Sequence, residues 1–125
     1  VQIYNWTFPS SENAYQAMKA LDPGMWWPRF ADRGCDPSNA KKLGREVPLR
    51  SDWEQVKGDF MRAIVRDKFT RHPELKEKLL ATDPVKLEEW NHWGDSFWGI
   101  CAGKGENWLG RILMETRDFL WRPPF

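Results

Sequence analysis

Pro9-Ser10-Ser11-Glu12-Asn13-Ala14-Tyr15-Gln16-Ala17-Met18-Lys19-Ala20-Leu21 is the stretch on which the fold turns. Before it, Val1, Ile3, Trp6 and Phe8 place β-forming side chains in loose alternation, the pattern of a short strand over 1–8. Pro9 stops that strand, and Ser10-Ser11 offers hydroxyls to the free amides of a helix start. From 11 to 21 the apolar period lengthens to about 3.6 residues. Ala14, Ala17, Met18 and Leu21 cluster on one side of this helix. Glu12, Tyr15, Gln16 and Lys19 form a stripe about 100° wide on the other. A strand running directly into an amphipathic helix opens an α+β chain.

Working outward, Asp22-Pro23-Gly24 reads as a turn. Over 25–33, Met25-Trp26-Trp27 is apolar and Pro28 is expected to break any early helix. Asp36-Pro37 opens a short helix, with a cap and a first-turn proline, closed by Gly44. Ser51-Asp52-Trp53-Glu54 has the spacing of a capping box. The helix after it runs to about Arg71, with Trp53, Val56, Phe60 and Ile64 on one stripe. Pro73 starts a further helix, 73–81, ending before Asp83-Pro84. From Val85 to Ile100 the pattern turns aromatic and strand-like, with Gly94-Asp95 as a hairpin turn. Gly103-Lys104-Gly105 is a loop, Asn107 caps a last helix over 108–121, and Pro123-Pro124 ends it. Leu109, Ile112, Leu113, Thr116 and Leu120 form its buried stripe. The sum is α+β: a single compact, helix-rich domain over 1–125 with a small β-sheet.

Composition narrows the function. The chain is 41% hydrophobic and 30% charged, as a globular protein is. Nineteen basic against 18 acidic residues leave a net charge of +1. A protein gripping nucleic acid by its phosphates needs a clear basic excess, so a small charged ligand in a pocket fits better. No apolar run approaches the ~20 residues that span a bilayer. Cys35 and Cys101 stand far apart and outside any metal-ligand spacing, and neither His72 nor His92 has a second ligand nearby in sequence. Reduced thiols, no metal, no membrane and a cytoplasmic location are expected. Nine tryptophans exceed what a core of this size calls for and suggest an aromatic surface for a planar ligand.

Three constellations carry possible chemistry, and each has a plain structural alternative. The Glu12, Tyr15, Gln16, Lys19 stripe is either a solvated helix face or a pocket wall. Gly103-Lys104-Gly105-Glu106-Asn107, entering a helix, is either an ordinary loop and cap or an anion site built from free amides. Asp95-Ser96-Phe97-Trp98-Gly99 is either a packed aromatic hairpin or a platform, with the Trp98 face for a base and Gly99 for close approach.

Taken in order, these pieces resemble a known family. Ser11-Glu12-x-x-Tyr15-Gln16-Ala17-x-Lys19 is followed by Gly44-Arg45, Trp53-Glu54-x-Val56-Lys57 and Lys68-Phe69. Asp95-x-x-Trp98-Gly99, Gly103-x-Gly105-x-Asn107-x-Leu109-Gly110, Leu113-Met114 and Arg117 complete the set. Over about 9–120 the chain resembles the NADAR superfamily, which contains the YbiA-like N-glycosidases.

The resemblance implies a mostly helical α+β domain that cleaves ribose–base bonds without metal or other cofactor. It implies two substrate classes: phosphoribosylamino-pyrimidines of the riboflavin pathway, and ADP-ribosylated guanine, free or as an adduct on nucleic acid. Lys19 matches the family's lysine nucleophile, which would form a Schiff base with the sugar. Glu12 and Asp95 match its acidic positions, one to protonate the leaving group and one to activate water. Tyr15, Gln16, Trp98 and Gly99 would line the pocket, Trp98 stacking on the ligand. Arg45, Gly103, Gly105 and Asn107 would hold phosphate.

The chain departs from the family where Asn13 replaces a frequent histidine and where Ile100-Cys101 replaces Asp-Gly in a loop one residue shorter. It also begins after the family's upstream Ser-Asn-Phe strand, so an N-terminal strand is expected to be absent or trimmed. The rival expectation is a module that binds ADP-ribose or another nucleotide without turning it over.

Overall fold

The computed structural model describes residues 1–121; the expected stop at Pro123-Pro124 lies outside them. The chain packs as two units, Val1–Lys68 and Phe69 onward. Both are built from helices with short two-stranded pieces, the α+β, helix-rich class expected.

The first unit opens with β1 (Gln2–Ile3) and β2 (Trp6–Thr7), an antiparallel pair with Gln2 opposite Thr7. The single strand expected over 1–8 is therefore a tight hairpin. Tyr4 and Asn5 both take left-handed backbone (φ 49° and 64°), the turn whose twist matches that of paired strands. The Tyr4 ring stacks on Trp27 at 5.9 Å. Helix α1 (Ser11–Met18) follows, capped by the Ser10 hydroxyl, which accepts from the Asn13 amide at 3.0 Å. Ala14, Ala17 and Met18 are buried as their spacing requires, whereas Leu21 lies past the helix end and is exposed.

Helix α2 (Pro23–Ala31) runs through Pro28, where a break was expected. Proline removes one backbone donor, and three features offset that loss. The Asp22 carboxylate caps the Met25 amide, Phe30 is fully buried, and the Trp27 indole N–H donates to the Ala17 carbonyl at 2.9 Å. Helix α3 (Pro37–Gly44) starts as expected, with the Asp36 carboxylate accepting from the Asn39 amide. It ends differently: Gly44 is its last helical residue and Arg45 is the cap, in right-handed backbone.

Helix α4 (Trp53–Arg71) begins one residue later than a Ser51 box would start it. The Asp52 carbonyl accepts the first bonds of the helix, and Glu54 reaches forward to Lys57 at 2.6 Å rather than back. Trp53, Phe60 and Ile64 are buried with Phe8, Met18, Phe30 and Ala40 in one core.

In the second unit α5 (Pro73–Ala81) spans the expected residues. The aromatic stretch after it is not a hairpin. Trp90–Asn91 (β3) and Ile100–Cys101 (β4) pair in parallel, and a coiled loop joins them. The reason is local. The Asp95 side chain accepts from the amides of Phe97 and Trp98, turning the chain where a hairpin would extend it. Helix α6 (Trp108–Trp121) buries Ile112 and Thr116. Its Arg117, also buried, donates to the Thr82 hydroxyl and the Val85 carbonyl and pairs with Asp83 at 3.6 Å. No helix among the described residues is long and apolar enough to cross a membrane.

Candidate active site

Helix α1 positions the first group of residues. Asn13, in place of the family's frequent histidine, is fully buried. Its amide nitrogen donates to the Phe30 and Cys35 carbonyls at 2.9 and 2.8 Å, fixing α1 against the end of α2. One turn on, Gln16 is also buried, so the stripe Glu12, Tyr15, Gln16, Lys19 is no solvated face. Tyr15 packs edge-on to the buried Trp53 ring at 5.2 Å, and the Lys19 ammonium lies 5.6 Å from the Tyr15 ring. Lys19 itself is the C-cap of α1. Its carbonyl accepts from the Arg50 amide at 2.9 Å, Ala20 bridges to Leu49, and Leu21 donates to the Pro48 carbonyl. The backbone beneath the amine is thus pinned to the 48–50 segment.

Lys19 is half-buried. Burial, the largest cause, holds its amine below the ordinary lysine value; Arg45 acts in the same direction and Glu12 opposes both. Glu12 is shared with Lys41 of α3, whose ammonium lies 3.8 Å away. Gln16 rests on Gly44 so closely that a Cβ on Gly44 would strike its Oε1, and that Oε1 is buried with no hydrogen-bond partner. An acid, an amine of lowered basicity, an amide, a phenol ring and a guanidinium are thus gathered within the first unit. An amine that sheds its proton easily can attack an electrophilic carbon. The same unit carries an open groove of about 510 Å³ lined by Arg29, Asp32, Cys35, Asn39, Lys42 and Glu46. None of the expected site residues lines it.

The second unit holds the other expected residues in one hydrogen-bonded knot. Asp95 Oδ1 accepts the Phe97 and Trp98 amides, at 3.1 and 2.9 Å. Asn91 clamps the Asp95 backbone from both sides, donating to its carbonyl at 2.7 Å and accepting from its amide at 3.1 Å. The Trp98 ring is half-buried, edge-on to Phe97 at 4.7 Å. Gly99 is buried, and a Cβ there would meet the Glu89 carbonyl and the Asn91 amide. At Gly105 a Cβ would strike the Gly99 carbonyl. These glycines let one stretch of backbone lie on another.

Asn107 does more than cap: its buried side chain accepts from the Glu89 amide and donates to the Leu87 carbonyl, both at 2.9 Å. Gly103, in left-handed backbone, sits in a tight exposed turn closed by a reciprocal pair of bonds between Cys101 and Lys104. The amides of Lys104, Glu106, Asn107, Trp108 and Leu109 donate to the carbonyls of Cys101, Ser96, Gly99, Phe97 and Trp98. Within the 103–107 loop the amides of Lys104, Glu106 and Asn107 are thus engaged by backbone carbonyls.

Sequence reading passed over Glu89. Its Oε2 is buried without a hydrogen-bond partner, and burial, then the Asp95 charge, raises its carboxyl above the ordinary range. A second Glu beside Glu88 in an aromatic stretch carried no spacing signal. Lys41 was likewise invisible, and Asn13 stood out only as a departure from the family, since the role of each comes from contacts with other segments. Among the described residues no group of three or more His, Cys, Asp or Glu is placed to hold a metal.

The NADAR domain model matches residues 1–121. The N-glycosidase YbiA of Escherichia coli is 42% identical over 123 residues, which cover 96% of this chain and 75% of that protein. An N-glycosidase of Nostoc punctiforme is 45% identical, over 94% of this chain and 78% of its own length. A riboflavin biosynthesis protein of Vibrio vulnificus is 41% identical over 90% of this chain, which spans 31% of that longer protein. The NMR structure of E. coli YbiA superposes with a TM-score of 0.83 at 41% identity, covering 97% of this chain and 72% of that one. A family match over all of the described residues, with relatives and a solved structure to the same effect, means that this chain belongs to the NADAR domain family.

Proposed function

We propose that this chain hydrolyses the ribose–base N-glycosidic bond of a nucleotide-derived substrate, with Lys19 as nucleophile. The observation that carries the reading is the Lys19 amine, half-buried at the end of α1 and disfavoured as an ammonium by burial and Arg45 against the opposing charge of Glu12. Relatives 42% and 45% identical are named N-glycosidases, and as a member of their family the chain is a hydrolase of N-glycosyl bonds.

In this reading the neutral amine attacks C1′ of the ribose. The C1′–N bond breaks and the base leaves with a proton from an acidic side chain. The attached nitrogen loses its proton, the C1′–O4′ bond opens with protonation of O4′, and a Schiff base joins Lys19 to C1′. Water then adds at C1′, and loss of the amine frees the sugar. Glu12 and Asp95 are the carboxylates proposed for these proton transfers. Trp98 is the proposed face for the base, and Arg45 the proposed partner of substrate phosphate.

Two substrates follow from the reading. A relative named for riboflavin biosynthesis supports a phosphoribosylamino-pyrimidine. ADP-ribosylated guanine, free or as an adduct on nucleic acid, is the second. A cytoplasmic location goes with this proposal.

The test is a borohydride trap. The protein is incubated with ADP-ribosyl-guanosine and, separately, with a phosphoribosylamino-pyrimidine, then reduced, digested and mapped by mass. An adduct on the Lys19 peptide supports both the nucleophile and the sugar class. Turnover that persists in Lys19→Ala overturns the Schiff base. Calorimetric binding with no turnover of either compound would make the chain a nucleotide-binding module instead.

A further inference from the structure

The contacts between α1 and α3 form a ladder. At its first rung Glu12 meets Lys41 at 3.8 Å. At the next, one turn on along each helix, the Gln16 side chain lies against the bare backbone of Gly44. The two helices therefore run side by side in the same direction. Arg45 lies four residues beyond Lys41, on the same face of α3, and Lys19 lies three beyond Gln16 on the stripe of α1. Continued one step further, the ladder puts Arg45 and Lys19, both cations, at neighbouring positions of the two helices, and the Arg45 charge acts on the Lys19 amine.

We propose that Arg45 is a positioning residue for the Lys19 nucleophile: the ladder holds its guanidinium beside the amine as a fixed like charge, and the Gln16–Gly44 contact sets the spacing. The inference rests on the reading of Lys19 as nucleophile and gives Arg45 a role that needs no substrate phosphate.

The physical reasoning is short. A guanidinium keeps its charge at every working pH, so it repels an ammonium and leaves a neutral amine untouched. Of the other charges near Lys19, Glu12 on α1 favours the ammonium but is shared with Lys41 of α3. On the 48–50 segment, which touches Lys19 through its backbone, Arg50 is bound to Asp52 at 2.6 and 3.1 Å. Arg45 is the cation that opposes Glu12 at the amine. Because Arg45 is exposed, water screens part of the effect.

The experiment reads the amine directly and uses no glycosidic substrate. The folded protein is treated with formaldehyde and cyanoborohydride across a pH series, and methylation of the Lys19 peptide is followed by mass, with exposed Lys86 as internal reference. Arg45→Gln should move the Lys19 profile to higher pH and slow its labelling at pH 8 by roughly threefold. Arg45→Lys, which keeps the charge but loses the two-pronged grip on phosphate, should leave the profile in place. Glu12→Gln should move it to lower pH. If Arg45→Gln fails to fold by circular dichroism, Arg45→Met removes the charge while keeping an apolar stem. A charge-deleting variant that folds and labels with the wild-type profile overturns the proposal. A shifted profile with no borohydride adduct would leave Arg45 as the tuner of Lys19 and remove the Schiff base alone.

Discussion

The Gln16 side chain occupies the space that a Cβ on Gly44 would need. Gly44→Ala should therefore destabilise the first unit, although alanine is the better helix former. Overpacking costs about 1–3 kcal/mol, and helix propensity returns at most about 1. Urea denaturation should show a lower midpoint for Gly44→Ala and recovery in the Gln16→Ala, Gly44→Ala double variant. A double variant no better than the single would place the clash elsewhere.

Lys19→Ala and Lys19→Arg should both lose turnover, on the order of 10³-fold or more, with an unchanged circular dichroism spectrum. Arginine keeps the charge and most of the length but cannot form an imine. Activity retained by Lys19→Arg would point to an electrostatic role for this position.

The same residue carries a pH signature in stability. Its proton affinity is lower in the fold than in the unfolded chain, where it takes the ordinary value of 10.5. Between those values the unfolded state binds more protons, so stability rises with pH. Below the folded value the buried ammonium exerts its full cost. Lys19→Met should then be more stable than wild type at pH 7, and the advantage should shrink as pH rises toward 10.5. Urea midpoints of the two proteins at pH 7 and 10 test this, and a gap that does not narrow refutes it.

Asp95 joins a structural duty to its proposed chemical one, and two substitutions separate them. Asparagine keeps a carbonyl oxygen for the Phe97 and Trp98 amides; alanine does not. Asp95→Asn should keep the melting temperature within a few degrees and lower turnover by about 10²–10⁴-fold, as loss of a proton-transfer group does. Asp95→Ala should lower both. Equal melting temperatures for the two variants would mean that the loop does not depend on the turn at Asp95.

Asn107→Ala should cost roughly 2–4 kcal/mol, because it strips partners from the Leu87 carbonyl and the Glu89 amide together. Asn107→Asp should recover part of the loss, since it can still accept from Glu89 but cannot donate to Leu87. Thermal melts of the three proteins should rank wild type, Asp, Ala; a wild-type melt for Asn107→Ala would contradict the clamp.

Local chemistry made much of this protein legible from its residues alone. Asp36-Pro37 and Pro73 open helices because a first-turn proline lacks only a donor that would go unused there. The period of Trp53, Phe60 and Ile64 marks the buried face of α4 because a helix turns every 3.6 residues whatever surrounds it. The ordered motifs from Glu12 to Arg117 identify the family because several side chains must recur at compatible spacings. What the sequence by itself determined was thus the helical class, most helix starts, the centre of each buried stripe and the family.

The tertiary structure decided whatever depends on partners distant along the chain. Pro28 stays helical because Phe30 and Trp27 are anchored in a core that the 25–33 segment cannot foresee. The stretch 85–100 coils because Asn91, Asp95 and Asn107 bind its backbone. The amides of Lys104 and of 106–109 look free in a glycine-rich loop, yet they meet carbonyls from 96–101. Whether the Glu12–Lys19 stripe met water or protein was open on spacing alone. It was settled by Gly44 of α3, which lies on Gln16, and by Trp53, which packs on Tyr15, since burial is a property of neighbours and not of a periodicity.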